Sequence, residues 1–250
     1  MTHNLLILGG TTEATVLGAA VATAGLHGTV SFAGRVARPK RQPLPQRIGG
    51  FGGVEGLRDY LSGHAITHVI DATHPFAAQM SRNAVAACAQ AKVPMIALTR
   101  APWCAQVGDD WTHVPDIAGA VAALDRPAAR ILLAVGRMHL DDFAPNPQHS
   151  YLLRLVDPPS RPPSFPNHHV LVSRGPFTEA ADRALMEQHR IDLVVSKNSG
   201  GTGAYAKIKA ARALGIPVIM IDRPAIPDRA EAYSVSEVMA WLGHGADLGV

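Results

Sequence analysis

Residues 6–15 read LILGGTTEAT, an apolar run that meets two glycines and then a polar stretch suited to the first turn of a helix. Glycine lets the backbone approach a phosphate closely, and the free N–H groups at a helix start can bind it. Thr12 and Glu13 also suit an ordinary helix cap, and the stretch departs from G-x-G-x-x-G. We expect a phosphate site because the turn follows the first strand. Its predicted residues are Gly9, Gly10, Thr11, Thr12 and Glu13.

The rest of the chain alternates short apolar runs with Ala-rich stretches. Runs such as NLLIL, THVID, ILLAV and PVIMI have the length and composition of buried strands. Between the runs lie stretches with the periodicity of amphipathic helices, at residues 12–24, 54–62, 77–91, 178–189 and 204–214. The alternation predicts an α/β fold with mostly parallel sheets. We expect two Rossmann-like lobes, residues 1–125 and 126–250, with a cleft between them.

The composition excludes several classes of protein. Apolar residues make up 47% of the chain and charged residues 17%, which is typical of a globular protein and not of a disordered one. The formal charge of +3 is too weak to indicate nucleic-acid binding. Cys88 and Cys104 form no C-x-x-C motif, and the first apolar run is too short for a signal peptide or a membrane span. We therefore expect a cytoplasmic protein that binds neither nucleic acid nor membrane.

Arg35 follows the second apolar run, where Rossmann proteins carry the residue that contacts the adenosine ribose. An acidic residue there accepts a hydrogen bond from a 2′-hydroxyl group, whereas an arginine accommodates a 2′-phosphate. Arg38, Lys40 and Arg41 come next, and we interpret these three as a solvated basic loop. Arg35 therefore predicts NADPH, rather than NADH, as the cofactor.

The sequence DATHPFA, residues 71–77, closes another apolar run with a small and polar loop. Ligands of doubly wound sheets bind at the carboxyl ends of the strands, where this loop is expected. We predict that Thr73 contacts the cofactor. His74 is a candidate for proton transfer, although a single histidine before a proline more often has a structural role.

A second Gly-rich loop, SKNSGGTG at residues 196–203, follows a predicted strand and precedes a predicted helix. It differs from G-x-x-x-x-G-K-[ST], so it does not indicate nucleotide hydrolysis. Its backbone is suited to clasp a pyrophosphate or a substrate carboxylate, and the alternative is a simple turn. The predicted cofactor contacts in this loop are Ser199, Gly200, Gly201 and Thr202, with Lys197 adding a positive charge.

Metal and hydrolase chemistry lack support in the sequence. The 12 histidines are dispersed, and pairs such as His168 and His169 come without cysteine or acidic partners, so we predict no metal site. The G-x-S-x-G motif of many hydrolases is absent from the sequence. The remaining candidates therefore concern dinucleotide chemistry.

Five separated motifs together resemble the precorrin-6A reductase family of cobalamin biosynthesis. They are ILGGTTEA, GGFGGVEGL at 49–57, DATHPFA, RGPFTE at 174–179 and SKNSGGTGAYAKIKAARALGIPVIMIDRP at 196–224. The resemblance spans nearly the whole chain, and the motifs stand in the family's order. It is therefore much more specific than a single Gly-rich turn.

The resemblance implies a two-lobed reductase in which NADPH reduces one C=C bond of precorrin-6A to give precorrin-6B. This tetrapyrrole substrate carries many carboxylates, which arginine binds in a bidentate manner. The candidate substrate-binding residues are Arg137, Arg174, Lys197 and Arg223, and the alternative for each is a surface ion pair. The proton is expected to come from water, a substrate carboxyl group or His74. The resemblance also allows for contact with neighbouring enzymes of the pathway.

Two other functions stay open from the residues alone. One is a generic NADP-dependent dehydrogenase or epimerase, although Tyr205, Lys207 and Lys209 do not stand where that class carries its Tyr-x-x-x-Lys pair. The other is a non-catalytic sensor that binds a dinucleotide or a tetrapyrrole. Oxidation of NADPH in the presence of precorrin-6A would distinguish the reductase from both.

Overall fold

The fold is taken from a computed structural model, which describes residues 3–34, 42–159, 161–173 and 175–247. The chain forms two compact units. Unit 1 comprises residues 1–100 and 225–250, and unit 2 comprises residues 101–224. This division differs from the predicted boundary between residues 125 and 126, because residues 101–125 belong to unit 2 and the chain returns to unit 1 at residue 225.

The described residues form 12 strands and seven α-helices. In chain order the strands are β1 (Asn4–Leu8), β2 (His27–Phe32), β3 (Gln46–Ile48), β4 (His68–Asp71), β5 (Met95–Leu98), β6 (Trp111–Val114), β7 (Arg130–Ala134), β8 (Ser150–Leu155), β9 (His168–Val172), β10 (Leu193–Lys197), β11 (Val218–Ile221) and β12 (Ala230–Ala232). The helices are α1 (Thr12–Thr23), α2 (Gly53–Gly63), α3 (Ala78–Ala91), α4 (Ile117–Ala123), α5 (Glu179–Gln188), α6 (Ala206–Leu214) and α7 (Val235–Asp247). None of the helices in the described part of the chain is long and apolar enough to cross a membrane.

Unit 1 is built on a parallel sheet with the strand order β3-β2-β1-β4-β5-β12. If β12 is counted as the sixth strand, this is the doubly wound order 3-2-1-4-5-6 of dinucleotide-binding domains. The sixth strand, β12, comes from the C-terminal segment of the chain, so the sheet is complete only after the chain has returned from unit 2. The order of connections reverses between β1 and β4, which is where ligands of such sheets bind.

Unit 2 repeats the same order with a permuted chain. Its parallel sheet runs β9-β8-β7-β10-β11-β6, so β7 takes the place of the first strand and β6 takes the place of the sixth. The sixth strand therefore comes first in the chain rather than last. The predicted fold class, α/β with parallel sheets in two Rossmann-like lobes, is confirmed, and the cleft between them stays a prediction.

The central strand of unit 1 shows why the fold forms. Leu5 and Ile7 pack into an apolar cluster with residues of α1 and α7, whereas Leu6 and Leu8 pack into a second cluster with residues of α2 and α3. Successive side chains of a strand point to opposite faces, so an uninterrupted apolar run is buried on both sides of the sheet. The rigid core therefore fixes the position of the loop that begins at Gly9.

Candidate functional site

Thr11 joins the two loops that meet at the switch point of unit 1. Its hydroxyl group donates to the Ala72 carbonyl at 2.8 Å and accepts from the Ala14 N–H at 3.1 Å. The second of these bonds is the side-chain cap of α1, and it satisfies an N–H that has no partner within the helix. The loop after β1 is therefore fixed to the loop after β4.

Gly9 and Gly10 have different surroundings. The Gly9 N–H donates to the Ser31 carbonyl at 2.8 Å, and a Cβ on Gly9 would lie 3.1 Å from Cγ1 of Val30 and 3.3 Å from Cε1 of Phe32. Gly10 is exposed, has a φ of +128°, and a Cβ there would have no atom within 4 Å. Packing against β2 therefore leaves little room for a side chain at position 9, and Gly10 is where the backbone is open to a ligand.

The first turn of α1 carries an acidic side chain and its counterion. Glu13 pairs with Arg100, with 3.4 Å between Oε1 and Nε, and the side chain of Arg100 is 16% exposed. A carboxylate is favoured beside the positive end of a helix. The charge of Arg100 offsets the repulsion between the Glu13 carboxylate and an anion, such as a phosphate, bound nearby. Thr12 is exposed at the start of the helix. The predicted residues 9–13 thus lie together at one edge of the sheet.

Thr73 belongs to a buried network around Asp71. Its hydroxyl and N–H groups donate to Oδ1 of Asp71 at 2.7 and 3.1 Å. Oδ2 accepts from the hydroxyl of Ser81 and from Nη1 of Arg229, each at 2.6 Å, and the Asp71 side chain is 1% exposed. The Thr73 hydroxyl therefore supports the loop after β4, and it can only accept a bond from a ligand. Sequence reasoning missed Arg229, which is 158 residues from Asp71.

His74 stabilises the turn in which it lies. The Phe76 N–H donates to Nδ1 of the ring at 3.2 Å, and the Ala77 N–H donates to the His74 carbonyl at 2.7 Å. A neutral ring with Nδ1 as acceptor carries its proton on Nε2. These contacts agree with the structural alternative, and a role of His74 in proton transfer stays a prediction.

The switch point of unit 2 lies between β7 and β10 and is built differently. Gly136, with a φ of +80°, stands two residues after β7, as Gly10 stands two residues after β1. Short 3₁₀ turns at Arg137–His139 and Asp141–Phe143 replace a helix such as α1. The side chain of Arg137 is exposed at this edge. Unit 2 therefore lacks an α-helix terminus directly after its first central strand.

The Gly-rich loop begins within β10, and the part that follows the strand comprises residues 198–204. Trp103 and Arg223 make hydrogen bonds to this part. Oδ1 of Asn198 accepts from the Trp103 N–H at 2.7 Å, and its Nδ2 donates to the Trp103 carbonyl at 3.0 Å. The indole N–H of Trp103 donates to the Gly201 carbonyl at 2.7 Å, and Nε of Arg223 donates to the Asn198 carbonyl at 2.9 Å. Sequence reasoning missed Trp103, because it belongs to no motif that could have indicated its contact with the loop.

The four loop residues predicted to bind the cofactor differ in exposure. Ser199 and Gly200 are buried, and a Cβ on Gly200 would lie 2.3 Å from the Ala101 carbonyl oxygen. Gly201 is half-buried, and Thr202 is exposed. Packing therefore explains Gly200, while Gly201 and Thr202 are accessible to a ligand.

The predicted cations of the substrate site can be placed only in part. Arg35 and Arg174 lie outside the described residues, and their roles stay predictions. Arg137, Lys197 and Arg223 stand at the carboxyl ends of β7, β10 and β11, which neighbour one another in the unit 2 sheet. Unit 2 therefore brings three of the four predicted cations to one edge.

Comparison with known proteins identifies the family. The family described as "Precorrin-6x reductase CbiJ/CobK" matches residues 4–243. The precorrin-6A reductase of Rhodobacter capsulatus is 58% identical over 243 residues, which cover 97% of each chain. The precorrin-6A reductase of Sinorhizobium sp is 44% identical over 241 residues, which cover 96% of this chain and 92% of the relative. The solved structure of "CobK precorrin-6A reductase" has a TM-score of 0.93 and 57% identity and covers 98% of this chain and 97% of its own.

The chain belongs to the precorrin-6x reductase family. The predicted family is thus confirmed, and with it the assignment to the oxidoreductases of cobalamin biosynthesis. In this reductase the five motifs follow strands β1, β3, β4, β9 and β10. The carboxyl ends of parallel strands are where ligands bind in doubly wound sheets, so the motifs lie where a site is expected.

Proposed function

We propose that the protein reduces one C=C bond of precorrin-6A to give precorrin-6B, with NADPH as the reductant, in the cytoplasm. The observation that carries this proposal is the open Gly10 turn at the switch point of a 3-2-1-4-5-6 sheet, in a chain of this family. The names of the relatives support the substrate. The helix-terminus geometry supports a dinucleotide in unit 1.

The residues of unit 1 fit a dinucleotide. A Cβ at position 10 would occupy open space, and the first-turn N–H groups that the Thr11 side chain does not cap can bind phosphate oxygens. We infer that Gly10, Thr11, Thr12 and Glu13 surround the pyrophosphate, with Gly9 setting the path of the backbone. Arg35 is proposed to bind the 2′-phosphate, which would favour NADPH over NADH. When bound, NADPH supplies the hydride, and this chain positions the reacting groups.

Unit 2 is proposed to bind the tetrapyrrole through its carboxylates. Arg137, Lys197 and Arg223 stand at neighbouring strand ends, and cations in such an array orient a polyanion. Arg174 is proposed as a fourth contact from its sequence position. The proton comes from water, from a substrate carboxyl group or from Nε2 of His74. Contact with neighbouring pathway enzymes is a further part of the proposal, and nucleic acid and membrane are not proposed as partners.

The test is an anaerobic assay of the purified protein with precorrin-6A and either NADPH or NADH. We expect NADPH to be oxidised at a rate that depends on precorrin-6A, with formation of precorrin-6B. Binding of both compounds without oxidation would support the sensor instead. Turnover of small carbonyl compounds but not of precorrin-6A would support a generic dehydrogenase.

A further inference from the structure

Unit 2 buries three charged side chains in the layer that supports the Gly-rich loop. Arg154 comes from β8, Asp182 from α5 and Lys207 from the first turn of α6. The side chains of Arg154 and Asp182 are 8% and 5% exposed, and Lys207 is 4% exposed. Charged groups are rarely buried to this degree unless they are paired, so the cluster calls for an explanation.

Lys207 bonds directly to the loop. Its Nζ donates to the Ala204 carbonyl at 2.8 Å and lies 5.0 Å from the centroid of the Trp103 ring. The same indole donates to the Gly201 carbonyl at 2.7 Å. Two side chains that contact each other thus fix both ends of residues 201–204. Lys207 therefore acts on the loop through a backbone carbonyl that precedes it by three residues.

The other two members of the cluster form an incomplete ion pair. Nη1 of Arg154 donates to Oδ1 of Asp182, and the guanidinium group lies 4.4 Å from the centroid of the Phe177 ring. Oδ2 of Asp182 is buried and has no hydrogen-bond partner among the described residues. One carboxylate therefore faces two cations, and full ionisation leaves one positive charge without compensation.

Lysine is the member of the cluster that can lose its charge, because arginine stays protonated in proteins. Burial, followed by the charge of Arg154 on β8, lowers the pKa of Lys207 from 10.5 to about 7, while Asp182 on α5 opposes the change. The segment before β6 contributes the uncharged Trp103 ring to the surroundings of Nζ. Lys207 is therefore divided between its charged and neutral forms near neutral pH, and a nearby anion would favour the charged form.

We propose that Lys207 is the positioning residue of the Gly-rich loop: its ammonium group holds residues 201–204 ready for an anionic group, and the bound anion in turn holds the proton on Lys207. The inference rests on the proposed function, which places a phosphate or a carboxylate at this loop. An anion supplies the compensation that the cluster lacks, so binding and protonation favour each other. The shared chemistry of the ligand is an oxyanion, from either the dinucleotide or the tetrapyrrole.

The test measures proton uptake when ligand binds. Wild-type protein is titrated with NADP⁺ alone and with precorrin-6A alone, by calorimetry in buffers of different ionisation enthalpy. With a pKa of about 7, roughly nine-tenths of Lys207 is neutral at pH 8 and about one-tenth at pH 6. We therefore expect uptake approaching one proton at pH 8, and very little at pH 6, with whichever ligand places its anion on the loop.

Lys207→Met keeps an unbranched side chain of similar length, without the terminal amino group and its charge. We expect it to abolish the uptake at pH 8 and to weaken binding of that ligand at pH 6. Lys209→Met is the matched control, because Lys209 lies on the same helix, its side chain is half exposed, and its Nζ lies 4.0 Å from Oε2 of Glu179. The control should take up protons as wild type does.

Two results would overturn the proposal. One is the absence of uptake in wild type at pH 8 with both ligands, which needs no variant and so does not depend on folding of Lys207→Met. The other is the same uptake in wild type and Lys207→Met. If wild type turns over precorrin-6A but takes up no proton when either ligand binds alone, only the role of Lys207 is rejected, whereas absence of turnover would reject the proposed function itself.

Discussion

Units 1 and 2 share one strand order and differ at the edge where that order places a ligand. In unit 1 the first central strand leads through Gly10 into the capped helix α1. In unit 2 the corresponding strand leads through Gly136 into 3₁₀ turns and an exposed Arg137. Topology therefore decides where a site lies, and the segment after each strand decides what it can bind.

The two units also bury their charges differently. Asp71 in unit 1 accepts from Thr73, Ser81 and Arg229, so both of its oxygens are used. Asp182 in unit 2 has one oxygen without a partner among the described residues and shares its surroundings with two cations. Partners on both oxygens hold a buried carboxylate in place, whereas an oxygen without a partner leaves charge that a ligand can compensate. We infer that unit 1 uses its buried charge for structure and unit 2 for ligand response.

Breaking the hydrogen bonds of Asp71 should give the largest effect. Asp71→Ala removes the acceptor of three side chains and leaves Arg229 buried, so the free energy of unfolding should fall by about 3–5 kcal/mol. Urea denaturation measures the loss. Asp59→Ala removes an exposed partner of Arg58 and should change stability little. Equal losses in the two variants would show that the Asp71 network does not stabilise unit 1.

The incomplete network should appear in the pH dependence of stability. The pKa of Lys207 is about 7 in the folded chain and 10.5 ordinarily, so the unfolded chain binds more protons between these values and stability rises with pH there. Relative to Lys207→Met, wild type should gain up to about 1.4 kcal/mol per pH unit from pH 7 to 9, and nothing below pH 6. Chemical denaturation at each pH measures this. Parallel curves for the two proteins would show that Lys207 does not titrate in this range.

The sequence predicted the parts of each unit that are buried. All five predicted helices are present, because each has an apolar face that the sheet covers. The strands β3, β6 and β12 were missed, since they lie at sheet edges and consist largely of exposed or half-buried residues without an apolar run. The predicted boundary between residues 125 and 126 differs from the division into units, because β6 already belongs to the sheet of unit 2 and β12 completes the sheet of unit 1 from far along the chain.

The site was predictable where one continuous motif forms it. Residues 9–13 lie together as expected, because a strand, a turn and a helix start follow one another in sequence. Trp103 and Lys207 could not be assigned to the Gly-rich loop, since one contact spans 98 residues and the other depends on burial that only packing reveals. Gly9 and Gly200 were predicted to contact the cofactor, and this stays a prediction. Tight packing alone accounts for the glycine at position 200 and leaves little room for a side chain at position 9.

Arg35 allows a test of cofactor choice, which we propose belongs to unit 1. Arg35→Ala should weaken NADPH binding by about 10- to 100-fold, because a hydrogen bond to a charged group contributes about 1.5–3 kcal/mol. NADH lacks the 2′-phosphate and should bind as before. The values of kcat/KM for both cofactors measure the effect, and added salt should reduce it. Equal losses with NADPH and NADH would rule out contact between Arg35 and the 2′-phosphate.

The smallest effect is expected from a pair of glycine variants, which compare the two units directly. Gly10→Ala and Gly136→Ala place the same methyl group two residues after corresponding strands, at positive φ and with no atom within 4 Å. Each should cost about 1–3 kcal/mol of backbone strain, which thermal unfolding measures. Only Gly10→Ala should also weaken NADPH binding, by about tenfold or 1.4 kcal/mol, because its methyl group would meet the phosphate. Gly136→Ala should leave NADPH affinity unchanged and alter KM for precorrin-6A, since position 136 adjoins Arg137. If Gly136→Ala weakened NADPH binding and Gly10→Ala did not, the dinucleotide would belong to unit 2.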